Sequence, residues 1–356
     1  MRHIPMRKSA LLAAVLTPFL LIAAIESQWP AYAAYELGGV DATSGVDSGA
    51  TPQDVLSAVG EAQGDPLTLL AVGDIANCAE APGLASAFPV SANLLGLASA
   101  FDPATAPAVP TVELMAQWPN APVLALGDLV YSSGKPVEFS DCFDPLWKDN
   151  RARTLPTPGN HEYNTPDAFG YYQYWGERAG PGDLGYYATH HGNWLILSLN
   201  SETDASPGSP QALWLKKTLA ASPEACVLAF YHRPAYSLME RGGRDNAVAL
   251  FRQLEQAGAS VVLNGHNHFY ERTLPLDAEG SPDAENGTVS FTVGTGGETS
   301  REMPTLDTTA KAIFGHLGVL RLELGQDGYR WWFEDAESGA TMDAGQAPCV
   351  LRRTRA

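Results

Sequence analysis

Positive charge is scarce in this 356-residue chain: 22 lysines and arginines face 40 aspartates and glutamates, a formal net charge of −18. Such a field repels nucleic acid and anionic membrane surfaces, so no general nucleic-acid binding is expected. A small anionic substrate stays compatible with it, because bound cations can reverse the sign locally. Cysteine is sparse as well. Cys78, Cys142, Cys226 and Cys349 include no Cys-x-x-Cys, which argues against a zinc-thiolate site. Their even number suits two disulfides in an oxidising compartment, with all three pairings open. The chain lacks a Gly-x-Ser-x-Gly segment, the elbow that carries the nucleophile of many serine hydrolases, and it has no internal repeat or low-complexity tract.

The one long apolar run is N-terminal. Arg2, Arg7 and Lys8 precede an apolar stretch over residues 9–25, and Ala31, Tyr32 and Ala33 form a small-residue cleavage pattern. Residues 1–33 therefore read as a secretory signal removed near Ala33, which predicts a secreted or cell-envelope protein with no stable membrane span after cleavage. Residues 34–66, rich in Gly, Ala, Ser, Thr and Asp, read as a linker or N-terminal extension with a weak helical pattern around residues 55–59. Residues 67–350 form the main domain.

Within it, short apolar runs at 67–72, 123–126, 194–199, 227–230 and 261–263 end in polar residues and suit buried strands. Helical spacing between them, at 210–219 and 246–256, predicts strand and helix in alternation, hence a layered α/β domain. Segments 291–293, 318–324 and 329–334 read as later strands, expected as antiparallel additions to a second sheet.

Five segments place polar side chains directly after predicted strands: Gly73-Asp74, Gly127-Asp128-Leu129-Val130-Tyr131, Gly159-Asn160-His161-Glu162, Tyr231-His232 and Gly265-His266-Asn267-His268. Active sites of open α/β sheets gather at the carboxyl ends of strands, so these distant segments can converge on one site. A Gly-Asp alone is a common turn, and a single His is usually structural, as is expected of His190, His191 and His316. A His-x-His is more telling, because side chains two apart on an extended segment point the same way.

The order of these segments resembles the calcineurin-like metallophosphoesterases, in particular their purple acid phosphatase branch of secreted bacterial type. The resemblance runs from about residue 67 to residue 333, supported by Gly185-Tyr186-Tyr187, Leu199-Asn200-Ser201, Tyr270-Glu271-Arg272 and Gly294-Thr295-Gly296-Gly297. In the wider superfamily a metal-binding His stands two positions after the first Asp, where this chain has Ala76. The branch instead has a tyrosinate three residues after the second Asp, where this chain has Tyr131.

The resemblance implies a four-layer α/β/β/α sandwich of two mixed sheets flanked by helices, with 67–350 as a catalytic domain; the span 34–66 is too short for the additional N-terminal β-sandwich that many plant members carry, so none is expected. It implies a first metal held by Asp74, Asp128, Tyr131 and His268, and a second shared through Asp128 and held by Asn160, His232 and His266. A tyrosinate suits Fe(III) in the first site, whereas carboxylate, amide and imidazole in the second suit Zn, Mn or Fe(II). The implied reaction is hydrolysis of a small phosphate ester by a metal-bound hydroxide, as an acid phosphatase on monoesters. A phosphodiesterase or nucleotidase could use the same centre, and a non-catalytic metal-binding protein could keep the same fold. His161 is implied as a residue that faces the substrate, where it stabilises the pentavalent state or protonates the leaving alcohol. Arg233 stands either at the substrate phosphate or in a surface ion pair, and Glu162 and Glu271 are assigned to orient loops.

Overall fold

The computed structural model describes residues 49–59, 66–77, 103–239 and 244–350, within one compact unit that spans Asp47–Ala356. The signal read over residues 1–33, most of the 34–66 extension and Cys78 lie outside the described residues. Along the chain run helix α1 (Pro52–Ser57), strands β1 (Leu67–Val72) and β2 (Ala76–Asn77), helix α2 (Val109–Met115), and strands β3 (Val123–Leu126) and β4 (Val130–Tyr131). There follow helices α3 (Pro136–Glu138) and α4 (Asp144–Arg151), strand β5 (Thr154–Thr157), helix α5 (Phe169–Trp175), strands β6 (Tyr187–His191) and β7 (Trp194–Ser198), and helix α6 (Pro210–Ala221). Strand β8 (Cys226–Phe230), helix α7 (Asp245–Gln256) and strands β9 (Val261–Asn264), β10 (Tyr270–Thr273), β11 (Val289–Val293) and β12 (Thr309–Ile313) come next. Three strands close the chain: β13 (Gly318–Leu324), β14 (Gly328–Asp335) and β15 (Thr341–Pro348).

Two mixed sheets carry the fold, one ordered β15-β14-β13-β1-β3-β5 and the other β12-β10-β11-β9-β8-β7-β6. Strand alternation sorts the side chains into layers. Leu67, Leu69 and Ala71 of β1 meet Ile196, Leu228, Phe230, Leu263 and Phe291 of the other sheet in a buried core. The alternate residues Leu70 and Val72 pack outward with Leu114 and Met115 of α2, Trp147 of α4 and Trp175 of α5. On the far side, Leu195, Leu197, Val227 and Val262 pack against Leu215 of α6 and Leu250 and Phe251 of α7. The result is the expected helix-sheet-sheet-helix order. Among the described residues no helix is long and apolar enough to cross a membrane.

Within the expected linker, α1 is capped by Thr51 and Asp54 in a reciprocal box and buries Val55 and Leu56 in the core between the sheets. Segment 291–293 is also unlike the expectation. It belongs to β11, which runs parallel to β9 and antiparallel to β10 because it lies between them. Segments 318–324 and 329–334 join the sheet of β1, through antiparallel pairing of β13 with β1, rather than the second sheet. Hydrophobic pattern marks a strand but carries no pairing direction.

Cys226, at the start of β8, is bonded to Cys349, just past β15, so the disulfide ties one sheet to the other across 123 residues. Cys142 is disulfide-bonded as well. Replacing Cys226 and Cys349 by serine is expected to cost about 2–5 kcal/mol by freeing this long loop in the unfolded chain. A thermal midpoint in the double variant equal to that of the oxidised wild type would contradict this.

Candidate metal centre

β1, β3 and β5 run parallel in one sheet, and β7, β8, β9 and β11 in the other, so their carboxyl ends set the loops of both sheets side by side. Asp74 and Asp128 lie two residues past β1 and β3, Asn160 three past β5, and His232 and His266 two past β8 and β9. The chain leaves three of these strands through left-handed residues that are not glycine: Asp74 (φ 58°), Asp128 (φ 48°) and His266 (φ 70°). Such conformations are uncommon outside Gly and cluster where function demands a particular side-chain direction. The glycines beside them serve close approach. A Cβ on Gly127 would sit 2.6 Å from His232 Nδ1, and one on Gly159 would collide with the Asp128 amide and carboxylate.

Two neighbouring groups result. In the first, the Tyr131 hydroxyl donates to Asp74 Oδ1 at 2.9 Å and lies 3.3 Å from His268 Nε2, which is itself 3.2 Å from Asp74 Oδ1. In the second, His232 Nε2 is the hub, 3.1 Å from Asp128 Oδ2 and 3.2 Å from both Asn160 Oδ1 and His266 Nδ1. Donor atoms of Asp128, His232 and His266 all lie within 4.8 Å of one another, close enough to hold a metal ion. The His266 amide, donating to Asp74 Oδ2 at 2.7 Å, joins the two groups. The structure therefore brings together every residue that the sequence marked as a ligand.

Protein charges alone leave these groups strongly biased. Burial opposes ionisation of Asp128, yet the facing His232 outweighs it and holds the carboxyl well below its ordinary range. Burial likewise opposes charge on His232, but Asp128 and Asp74 push its pKa up to about 10. Tyr131 goes far above its usual value through burial first, then through Asp74 and Asp128. His232 Nδ1 lies 2.9 Å from the Leu126 carbonyl. With the Nδ1 proton donated there, loss of the Nε2 proton leaves a lone pair facing Asp128 Oδ2, Asn160 Oδ1 and His266 Nδ1, the arrangement a metal-binding histidine needs.

Glu162 is fully buried and accepts from four backbone amides, those of Asp128, Leu129, Val130 and Gly159, at 2.7–3.3 Å. Burial, then Asp128, pushes its pKa up to about 8. It clamps the loop after β3 onto the loop after β5, the orienting role expected of it. His161 stands at the opening with its side chain 30% exposed; its amide donates to Asp128 Oδ1 at 2.8 Å and its Nδ1 lies 2.7 Å from the Ser132 carbonyl.

Arg233 does form an ion pair, but not on the surface. Its Nε donates at 2.9 Å to Glu202, its side chain is 14% exposed, and its Nη1 lies 3.1 Å from His266 Nε2. Glu202 and Glu298, which lies 3.9 Å from His268 Nδ1, are site residues that sequence reasoning missed. A lone glutamate in a loop carries no pattern to mark it. The two histidines of the His-x-His pair do not share an extended segment, contrary to expectation. His266 and His268 sit in a turn, and the left-handed backbone of His266 is what aims its ring. His190 pairs with Glu224 and His316 with Asp335, each at 2.7 Å.

The family model described as calcineurin-like phosphoesterase matches residues 67–270. The chain is similar to probable purple acid phosphatase 20 of Arabidopsis thaliana, 26% identical over 240 residues that cover 58% of this chain and 54% of the relative. Its fold is similar to that of purple acid phosphatase PPD1 from yellow lupin seeds, with TM-score 0.64 and 17% identity over 80% of this chain and 54% of that one. It is also similar to that of GAP50, the anchor in the inner membrane complex of Plasmodium, with TM-score 0.57 and 13% identity over 82% and 91%. The chain thus spans about half the length of the Arabidopsis and lupin relatives.

Proposed function

The chain belongs to the calcineurin-like phosphoesterase family, and from that premise we propose that it is a secreted phosphoric-ester hydrolase with two metal ions, an acid phosphatase acting on phosphomonoesters. The observation that carries this is the pairing of the Tyr131 hydroxyl with Asp74 and His268, beside the second group around His232. The donor chemistry fits a pair of cations. Asp74, Asp128, Tyr131 and His268 would hold the first, and Asp128, Asn160, His232 and His266 the second. A phenol pushed so far above its usual pKa becomes a ligand only beside a strongly polarising cation, which supports Fe(III) in the first site. Zn, Mn or Fe(II) suits the second. Such a pair, when bound, supplies an activated water and a clamp for the phosphoryl oxygens.

The remaining work falls to the chain's own groups. His161, exposed at the opening and fixed through its backbone, presents Nε2 for the proton of the leaving alcohol. Arg233, anchored through Nε by Glu202, directs the rest of its guanidinium toward the His266 side of the site, where phosphoryl oxygens would meet it. On the same proposal, residues 1–33 are a cleaved signal, 34–66 an N-terminal extension and 67–350 the catalytic domain. The disulfide between Cys226 and Cys349 supports an oxidising compartment.

Metal analysis with a visible spectrum, followed by a panel of p-nitrophenyl phosphate, its bis-ester and nucleotides, tests the reading. Expected are iron, a tyrosinate-to-iron absorption band and preferred hydrolysis of the monoester. A colourless protein without iron overturns the first-site assignment. Faster hydrolysis of the bis-ester or of nucleotides moves the function to a diesterase or nucleotidase, and no hydrolysis with both metals present marks a non-catalytic member of the family.

A further inference from the structure

Between the two ligand histidines, Asn267 turns to the opposite side and is fully buried. Its Nδ2 donates to Ser237 Oγ at 2.8 Å and to the Met239 carbonyl at 3.1 Å. The Ser237 hydroxyl donates in turn to Glu271 Oε2 at 2.7 Å, and the Leu238 amide donates to the same oxygen at 3.0 Å. Glu271 Oε1 accepts from the Thr309 hydroxyl at 2.9 Å. Glu271 is thus a carboxylate only 1% exposed, on β10, spent on tethering one loop to the sheet. The tethered loop follows β8, and its Arg233, Ser237 and Met239 line a small cavity with His266.

Rigid sheet on one side and a ligand-bearing turn on the other therefore hold the wall of a cavity that opens beside the second donor group. A wall that had to be ordered when substrate arrives would cost affinity, so a preset wall favours binding. We propose that Glu271 is a positioning residue for the substrate: through Ser237 and Leu238 it fixes the 237–239 wall against the His266 turn, so that the phosphoryl group meets Arg233 in a preset place. The proposal rests on the phosphatase reading and deepens it.

The test uses the metal-loaded full chain with p-nitrophenyl phosphate as substrate and inorganic phosphate as the equilibrium probe. Glu271→Ala is expected to raise KM and the dissociation constant for inorganic phosphate by about tenfold or more, the scale of lost outer supports, while metal content holds and kcat changes less. Glu271→Gln keeps an oxygen for Ser237 and Leu238 and presents an amide to the Thr309 hydroxyl, so it restores both constants. If Glu271→Ala does not fold, Ser237→Ala, which removes the hydroxyl shared by Asn267 and Glu271, reads the same rise. A lowered thermal midpoint with unchanged KM and phosphate affinity would reduce Glu271 to a structural role, as would failure of the Gln variant to restore them. A metal-loaded wild type that neither binds inorganic phosphate nor hydrolyses the ester sinks the phosphatase reading and the positioning role with it. Hydrolysis by wild type with unaltered constants in the Ala variant sinks only the latter.

Discussion

Asp128→Asn is expected to lower metal content below two ions per chain and to reduce phosphatase turnover by about 10³-fold or more. The size follows from the several kcal/mol that bound cations contribute to a phosphoryl-transfer barrier, at about 1.4 kcal/mol per tenfold in rate. The substitution is nearly isosteric and keeps an oxygen for the His161 amide, which donates to Oδ1 at 2.8 Å. What it removes is the negative charge of Oδ2, 3.1 Å from His232 Nε2, and it places there an amide nitrogen that cannot ligate. Folding should survive, because the side chain keeps its shape, His232 can release the proton that Asp128 held there, and the four amides held by Glu162 are untouched. The decisive comparison is metal stoichiometry beside turnover. Two ions per chain with more than a tenth of wild-type activity would remove Asp128 from the centre.

The convergence of these residues on one candidate site was legible in the sequence because chemistry and strand ends coincide. Asp74, Asp128, His232 and His266 each follow a short apolar run with a Gly or aromatic residue between, a pattern that needs only the strand itself to be read correctly. The place of Tyr131 beside Asp74 and His268 was suggested only in combination, since a tyrosine after a strand is ordinary until Ala76 is seen where a histidine is usual. In the structure those two positions face one small ladder, Ala76 pairing with Val130 and Asn77 with Tyr131.

Other features were closed to sequence reading for physical reasons. The left-handed turns at Asp74, Asp128 and His266 are uncommon for any single non-glycine residue, even for Asp and His, so propensity does not announce them. β5 contains Pro156, which argues against a strand until its place is known: it lies at the sheet edge, where a missing N–H costs no ladder bond on the open side. The helix α1 showed in the sequence only as a weak helical pattern around residues 55–59, because its stability comes from burying Val55 and Leu56 between the sheets, a tertiary contribution. Arg233 shows the same limit, because its partner Glu202 comes from a loop 31 residues earlier.

His161→Ala should separate proton transfer from metal binding. Its backbone amide, not its ring, contacts Asp128, so alanine preserves that bond and the loop with it. The ring stands edge-on to Tyr131, with centroids 4.4 Å apart, and its Nδ1 lies 2.7 Å from the Ser132 carbonyl. An Nδ1–H donates its hydrogen bond to that carbonyl, which leaves Nε2, 3.9 Å from Asp128 Oδ2, as the nitrogen able to exchange a proton with substrate. Turnover is therefore expected to fall by about 10²–10⁴-fold with both metals retained. The loss should depend on the leaving group. An alkyl phosphate expels a strongly basic alkoxide that needs the proton as the bond breaks, whereas p-nitrophenolate departs readily without one. A larger deficit for the alkyl ester than for p-nitrophenyl phosphate identifies His161 as the acid. An equal deficit for both assigns its ring to charge stabilisation at the phosphoryl group, and near-normal turnover on both substrates would remove it from the mechanism.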